Sequence, residues 1–217
     1  MSRHIFLSYF LDKKTPLYGG SKGIEIIKLN DILKGDTANT KKLTLHNHSG
    51  THIDFPNHFI KNGKVSNDYS ADFWIFNNPY LFTLNVSENE IILLSDEQIN
   101  LIPSNTDFLV LKTGFYKYRK TKKFWNNNPG IHPELAKKIK TKCPNLRVLG
   151  MDFISLTSYQ NRKLGRVAHK KFLGENDILL VEDMKLDKLT VNPIKIMCFP
   201  MMVKGLDGAP VSIIAEL

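Results

Sequence analysis

The segment from His46 to His58 constrains the fold of this chain most. It reads His-Asn-His-Ser-Gly-Thr-His-Ile-Asp-Phe-Pro-Asn-His and holds four histidines and one aspartate. Such a cluster is a poor way to build a core, because each buried imidazole needs a hydrogen-bond partner. It suits a divalent metal ion, because neutral imidazole and carboxylate are common ligands of zinc and manganese. The segment therefore predicts a metal centre rather than a polar surface loop.

The spacing within this segment limits its geometry. His48, His52, Asp54 and His58 would all lie on one face of a strand, where side chains alternate. Six extended residues span roughly 20 Å, too far for His48 and Asp54 to reach one ion. The chain must therefore bend between them, and we expect the bend at Gly50. His58 follows a proline and can point at the site without being a ligand.

Length and composition predict an ordinary globular protein. The 217 residues fit one domain, residues 1–217, with a sizeable core. No apolar run approaches the length of a membrane span, and the first residues lack the pattern of a signal peptide, so we expect a cytoplasmic location and no membrane partner. Cys143 and Cys198 are too far apart in sequence to suggest a disulfide framework or a thiolate zinc site.

A formal net charge of +9 raises the question of an anionic partner. Basic side chains gather between Lys112 and Lys142, which fits either a nucleic-acid surface or a solvated, lysine-rich face. No RRM, KH or zinc-finger pattern accompanies this charge. We therefore favour the solvated face and expect no nucleic-acid partner.

Short apolar runs along the chain predict a strand-rich α/β domain. A helix is predicted after the N-cap Ser95, and another over Pro133 to Ile139. The predicted strands are Ile24 to Leu29, Lys42 to Leu45, Leu81 to Val86, Ile91 to Leu94, Phe108 to Leu111, Arg147 to Met151, Ile178 to Val181, Val191 to Val203 and Ala209 to Ala215.

The motif H-x-G-T-H-x-D-x-P-x-H, from His48 to His58, resembles the signature of the cyclase-like metal-dependent hydrolases. This is the family of the bacterial kynurenine formamidases and isatin hydrolases. Further resemblances follow in the family's order at Thr15 to Gly19, Lys112 to Phe115, Asn128 to Ile131, Gly150 to Ser155, Ala168 to Glu182 and Asp207 to Val211. Two positions depart from the common pattern: Phe115 stands where Trp is frequent, and Ser212 where Arg is frequent.

The resemblance implies roles for individual residues. His48, His52 and Asp54 match the ligands of a first metal ion, and His58 matches the catalytic histidine. Asp54, as a bridge, together with His169 and Glu182 matches a second metal site, which some members leave empty. Asp183 and Glu175 compete for the role of Glu182, but the spacing from His169 favours Glu182. One or two ions per subunit are expected, with zinc the first choice and manganese the alternative.

The resemblance also implies a fold and an activity. The fold is a swivelling β/β/α type with a partly open mixed barrel and a few helices, in a homodimer or homotetramer. The activity is hydrolysis of a C–N amide bond in a small, aromatic substrate, as in an arylformamidase. The alternatives are a cyclase or dehydratase of secondary metabolism and a non-catalytic metal-containing binding protein. Candidate walls of the substrate pocket are Phe55, Phe59, Trp74, Phe115 and Trp125, although each of them taken singly is more typical of a core residue than of a substrate contact.

Overall fold

The computed structural model describes residues 3–21 and 23–217. The strands are β1 (His4–Phe6), β2 (Ile24–Asn30), β3 (Thr40–Leu45), β4 (His52–Asp54), β5 (Ile75–Phe76), β6 (Pro79–Thr83), β7 (Ile91–Ile92), β8 (Phe108–Lys112), β9 (Gly130–Ile131), β10 (Val148–Met151), β11 (Leu179–Glu182), β12 (Lys195–Pro200) and β13 (Gly208–Glu216). The α-helices are α1 (Asp96–Asn100), α2 (Lys123–Asn126), α3 (Glu134–Lys142) and α4 (Arg162–Lys170), and a π-helical turn over Lys171–Glu175 continues α4.

A mixed sheet of nine strands forms the centre of the molecule. Its main path runs β5-β12-β13-β4-β11-β10-β8-β6, and β1 joins the far end of β13. Strands β6, β8, β10 and β11 are parallel, whereas β4, β13, β12 and β5 pair antiparallel. Within the described residues β5 and β6 do not pair with each other, so the barrel-like sheet is open along one seam. The predicted strand-rich α/β fold with a partly open mixed barrel is confirmed.

The parallel strands carry the core because both of their faces are covered. Every residue of β10 and β11 is buried, as are the first four of β8, which explains why these buried positions are apolar apart from Glu182 at the end of β11. Helix α3 adds Leu135, Ala136 and Ile139 to the same core. The sheet therefore gives β4, at its centre, a rigid setting.

Two of the segments that resemble the family hold each other in place. Asp152, just after β10, accepts hydrogen bonds from the backbone N–H groups of Thr113 and Gly114 and from the Thr113 hydroxyl. Burial raises the pKa of Asp152 to about 6, against the effect of these bonds. The two segments thus join the carboxyl ends of β8 and β10.

Most predicted elements are present with shifted ends. The predicted helix after Ser95 is α1, and Ser95 forms a capping box with Gln98. The predicted strand at Leu81 to Val86 lies earlier, as β6, and the one at Val191 begins only at Lys195, as β12. Helix α4 was not predicted. In the described part of the chain, no helix has the length and apolarity to cross a membrane.

Candidate metal centre

The bend expected at Gly50 is present and sets up the site. Gly50 has a φ of 63°, in the left-handed region that glycine adopts without strain. Beyond the bend, β4 lies between β11 and β13, with His52 opposite Glu182 and Asp54 opposite Leu180. His52 and Asp54 share one face of β4. This register brings residues from three distant parts of the chain together.

Two histidines and two acids form a closed ring of ligand atoms. His52 Nε2 lies 3.5 Å from both Asp54 Oδ1 and Glu182 Oε2. His169 Nε2 lies 3.6 Å from both Asp54 Oδ2 and Glu182 Oε1. All four residues are buried. The edges of this ring are close to the roughly 3.4 Å between ligands of tetrahedral zinc, whose bonds are about 2.0–2.2 Å, and His52, Asp54 and Glu182 each place one ligand atom within 4.8 Å of the other two.

Backbone carbonyls fix the orientation of both imidazoles in this ring. His52 Nδ1 donates to Gly50 O at 2.9 Å, and His169 Nδ1 donates to Gly165 O at 2.9 Å. Since a carbonyl oxygen only accepts, Nδ1 carries the proton and Nε2 is the atom turned to the carboxylates. Histidines that bind metals are commonly held in this way, with the nitrogen that faces away from the ion donating to a carbonyl oxygen.

Glu182 is positioned by the predicted segment Gly150 to Ser155. Its Oε1 accepts from the Leu156 backbone N–H at 2.7 Å and from the Ser155 hydroxyl at 3.2 Å. Imidazole nitrogens and carboxylate oxygens converge here, and no lysine or arginine among the described residues pairs with these carboxylates. Such a set fits a divalent ion, for which nitrogen and oxygen ligands are standard. The donor set therefore fits the metal that the sequence predicts.

His48 and His58 lie beside this ring and share a partner that was not predicted, Asp207. Asp207 Oδ2 is 3.1 Å from His48 Nε2 and 3.0 Å from His58 Nδ1. His48 Nδ1 contacts Asp54 Oδ1 at 2.8 Å. Asp207 directly precedes β13 and stands beside Gly208, which pairs with Asp54. The sequence marks it only as the first residue of the segment Asp207 to Val211 that resembles the family, and not as a partner of histidines.

The pKa values of the two histidines differ in direction. Burial lowers the pKa of His48, but its bonds to Asp54 and Asp207 outweigh this effect and raise the pKa to about 9. Burial lowers the pKa of His58 below its ordinary value, and the single bond to Asp207 does not compensate. His58 is therefore neutral at pH 7, with Nδ1–H donating to Asp207 and Nε2 able to accept a proton.

The cluster forms one side of a cavity of about 310 Å³. The other side is made by Pro16, Leu17, Tyr18, Phe59, Ile154, Arg162 and Arg166. Of the five aromatic residues predicted as walls, only Phe59 lines this cavity, where it stacks on His169 with ring centroids 4.3 Å apart. The other four candidates take the core alternative: Phe55, Trp74 and Phe115 are buried in the core, and Trp125 packs against it.

The positions that depart from the family pattern also lie outside the cavity lining. Phe115 is buried near Tyr118 and Phe124, with ring centroids 5.1 and 6.2 Å away. Ser212 lies in a surface groove next to Phe10 and Phe199. Neither substitution touches the cluster of histidines and acids.

The two acids that compete with Glu182 have other surroundings. Glu175 is solvent-exposed and pairs with Lys171. Asp183 is buried and forms a two-pronged ion pair with Arg119, with N···O distances of 2.7 and 2.8 Å. Asp183 has a φ of 53°, and its carbonyl accepts from the Thr51 hydroxyl. The spacing argument for Glu182 thus agrees with the geometry.

We expect metal affinity to increase with pH between about pH 6 and pH 8. In the metal-free chain burial lowers the pKa of His169, but Asp54 and Glu182 outweigh burial and raise it to about 9. His169 is therefore protonated at neutral pH and must lose a proton to bind metal, which strengthens binding by up to about tenfold per pH unit. Chelator competition at several pH values measures this slope. An affinity independent of pH contradicts it.

Asp183→Asn should destabilise the metal-free protein by about 3 kcal/mol, because it leaves the Arg119 charge largely buried without its partner. Asparagine tolerates the left-handed backbone at this position, so the change isolates the charge. Urea denaturation measures the loss. The matched control is Asp96→Asn in the exposed pair with Lys138, which should change stability by less than about 1 kcal/mol. Equal effects of the two substitutions would refute the structural role of the buried pair.

Comparison with models of known protein families shows which family this chain belongs to. The model of the Cyclase family matches residues 5–157, more than half of the chain. The chain belongs to the Cyclase family. The matched segment contains the cluster from His48 to His58, whereas His169 and Glu182 lie beyond it. The predicted resemblance to the cyclase-like hydrolases is confirmed.

Relatives of this Cyclase-family chain extend the similarity over most of its length. It is 27% identical to Cyclase-like protein 1 of Arabidopsis thaliana over 219 residues, covering 94% of this chain and 81% of that protein. It is 29% identical to a kynurenine formamidase of Bacillus cereus over 176 residues, covering 81% and 78%. Isatin hydrolase A from Labrenzia aggregata shares the fold, with a TM-score of 0.81 at 18% identity over 100% of this chain and 94% of that one.

Proposed function

We propose that this protein is a metal-dependent hydrolase that cleaves a C–N amide bond in a small aromatic substrate, as an arylformamidase does. The observation that carries the proposal is the ring of His52, Asp54, His169 and Glu182 with a neutral histidine at its edge. The relationship to kynurenine formamidase supports the reaction type. A cavity of about 310 Å³ lies within the range of small-molecule sites.

The ring mixes residues that the sequence assigns to two ions. We therefore propose a first ion held by His52, Asp54, His169 and Glu182, with zinc preferred and manganese as the alternative. His48, which contacts Asp54, would join a second ion if one binds. A bound divalent ion supplies an acidified water and polarises the carbonyl under attack.

His58 would act as the proton carrier. Its Nδ1–H donates to Asp207, which fixes the ring and leaves Nε2 free to accept a proton from the attacking water. The water oxygen bonds to the amide carbon, the C–N bond breaks, and His58 returns the proton to the leaving nitrogen. Asp207 would act through His58 and is thus a positioning residue.

We also propose a homo-oligomer, with a dimer or tetramer formed through the β2–β3 hairpin. Within the described residues this hairpin pairs with no other strand, and it exposes Ile27, Leu29 and Leu43. An isolated two-stranded hairpin is marginally stable in water, so a second copy that covers these side chains would stabilise it. Light scattering should give a multiple of the monomer mass, and Leu43→Glu should reduce it. A monomeric wild-type protein at micromolar concentration contradicts this proposal.

Metal analysis combined with an amide-hydrolysis screen tests the proposed activity. Protein loaded with zinc or manganese is incubated with N-formylkynurenine, formanilide and isatin, and products are identified by mass. Hydrolysis adds one water to the combined products. Loss of water favours a cyclase or dehydratase, and metal binding without turnover of any amide favours a binding protein.

A further inference from the structure

The cavity beside the metal centre carries a positive rim on one helix. Arg162, Arg166 and His169 follow at intervals of four and three residues along α4, so they share one face of the helix. All three line the cavity. His169 lies at the metal centre, and the two arginines lie successively farther from it.

Arginine is rare in this chain, in which most basic residues are lysines. The chain has 30 basic residues, of which only Arg3, Arg119, Arg147, Arg162 and Arg166 are arginines. The cavity lining contains two of the five and no lysine. Arginine differs from lysine in presenting a planar fork that binds a carboxylate through two parallel hydrogen bonds.

Two of the other three arginines already have acidic partners. Arg119 pairs with Asp183 and Arg147 with Asp107. Among the described residues neither Arg162 nor Arg166 lies within ion-pair distance of a carboxylate. The two cavity arginines are thus available to an anion that enters from solution.

Aromatic contacts support one of the two guanidinium groups. Arg162 Cζ lies 5.1 Å from the centre of the Tyr159 ring and 6.0 Å from that of Tyr18. The two tyrosine rings contact each other edge to face at 5.4 Å. The Tyr18 hydroxyl is buried without a hydrogen-bond partner in the described residues, so a further polar group in the cavity awaits a ligand.

We propose that Arg162 and Arg166 bind a carboxylate of the substrate, so that the enzyme selects amides that carry a carboxylate at the end remote from the scissile bond. This inference rests on the proposed amide hydrolysis. Arg166 and Arg162 stand about one and two helical turns before His169 on α4. A carboxylate held by them would therefore lie in the same cavity as the amide but away from the metal centre.

Substrate pairs test this selectivity in the metal-loaded enzyme. N-formylkynurenine carries the carboxylate, whereas its methyl ester and formanilide do not. Arg162→Gln combined with Arg166→Gln should lower kcat/KM for N-formylkynurenine by about 10- to 100-fold, mainly through KM, because two charge-assisted hydrogen bonds are lost. The values for the ester and for formanilide should change by less than about twofold. Arg166→Lys should retain part of the selectivity, since it keeps the charge.

The matched control is Lys163→Gln, an exposed cationic residue of α4 outside the cavity lining. It should leave all three values unchanged. A binding measurement separates this proposal from the proposed activity: kynurenine should bind the wild type at least about tenfold more tightly than the double variant, even if no amide is hydrolysed. The proposed role of the two arginines is overturned if the wild type has equal kcat/KM for N-formylkynurenine and its methyl ester. It is also overturned if the double variant loses kcat/KM equally on all three substrates.

Discussion

His58→Ala should lower kcat by about 10²- to 10⁴-fold while the metal content stays at the wild-type level. His58 lines the cavity but is not part of the ring formed by His52, Asp54, His169 and Glu182. Its neutral imidazole, held by Asp207, is the group available to move a proton. Removing it therefore removes proton transfer without removing a ligand of the ring.

The matched control for this variant is His46→Ala. His46 belongs to the same run of histidines but is exposed and outside the cavity lining. It should retain full activity and full metal. Asp207→Asn should give an intermediate loss of kcat, because it weakens the orientation of His58 without removing the imidazole. Full turnover by the His58→Ala enzyme would exclude the assigned role.

Asp54→Asn should weaken metal binding by at least about 100-fold and abolish turnover with it. Asp54 faces both ring histidines, through Oδ1 toward His52 and Oδ2 toward His169. Even groups outside a ligand set change metal affinity by about 10- to 100-fold, so loss of a charged ligand at the centre exceeds this effect. The substitution keeps the volume of the side chain and removes only the charge.

Metal content after dialysis against buffer with micromolar zinc measures this prediction. Glu175→Gln is the matched control, because this exposed acid lies near the site in sequence but pairs with Lys171 on the surface. It should retain the wild-type metal content. A fully loaded Asp54→Asn protein would show that Asp54 is not a ligand.

The local part of the site could be predicted from the sequence. The histidine spacing and the need for a bend at Gly50 depend only on the reach of an extended chain and on the conformational freedom of glycine. The capping box at Ser95 is equally local. His169 and Glu182 came from family resemblance, and the structure places both next to Asp54.

The nonlocal part could not be predicted. Asp207 meets His48 and His58 only through the pairing of β13 with β4, across about 150 residues of sequence. Helix α4 was missed because it contains Gly165, which weakens a helical pattern. Gly165 is needed there, since a β-carbon would lie 2.2 Å from the Thr157 hydroxyl oxygen.

Four of the five candidate wall residues lie in or against the core instead. An aromatic side chain near a catalytic motif is as suitable for a core as for a pocket, and only alternation along a strand can separate the two from sequence. Phe55 follows Asp54 directly and therefore points the other way, into the core.

The central position of β4 has a consequence for the order in which the protein folds. Its three residues pair on one side with β11 and on the other with β13, the last strand of the chain. His52 and Asp54 are thus fixed in place only when β4 has paired with two strands that lie about 130 and 150 residues further along the sequence. Contacts so distant in sequence form late and slowly. If the proposed ion binds at this ring, its binding would therefore require the paired sheet and would stabilise the pairing of β4 with β11 and β13.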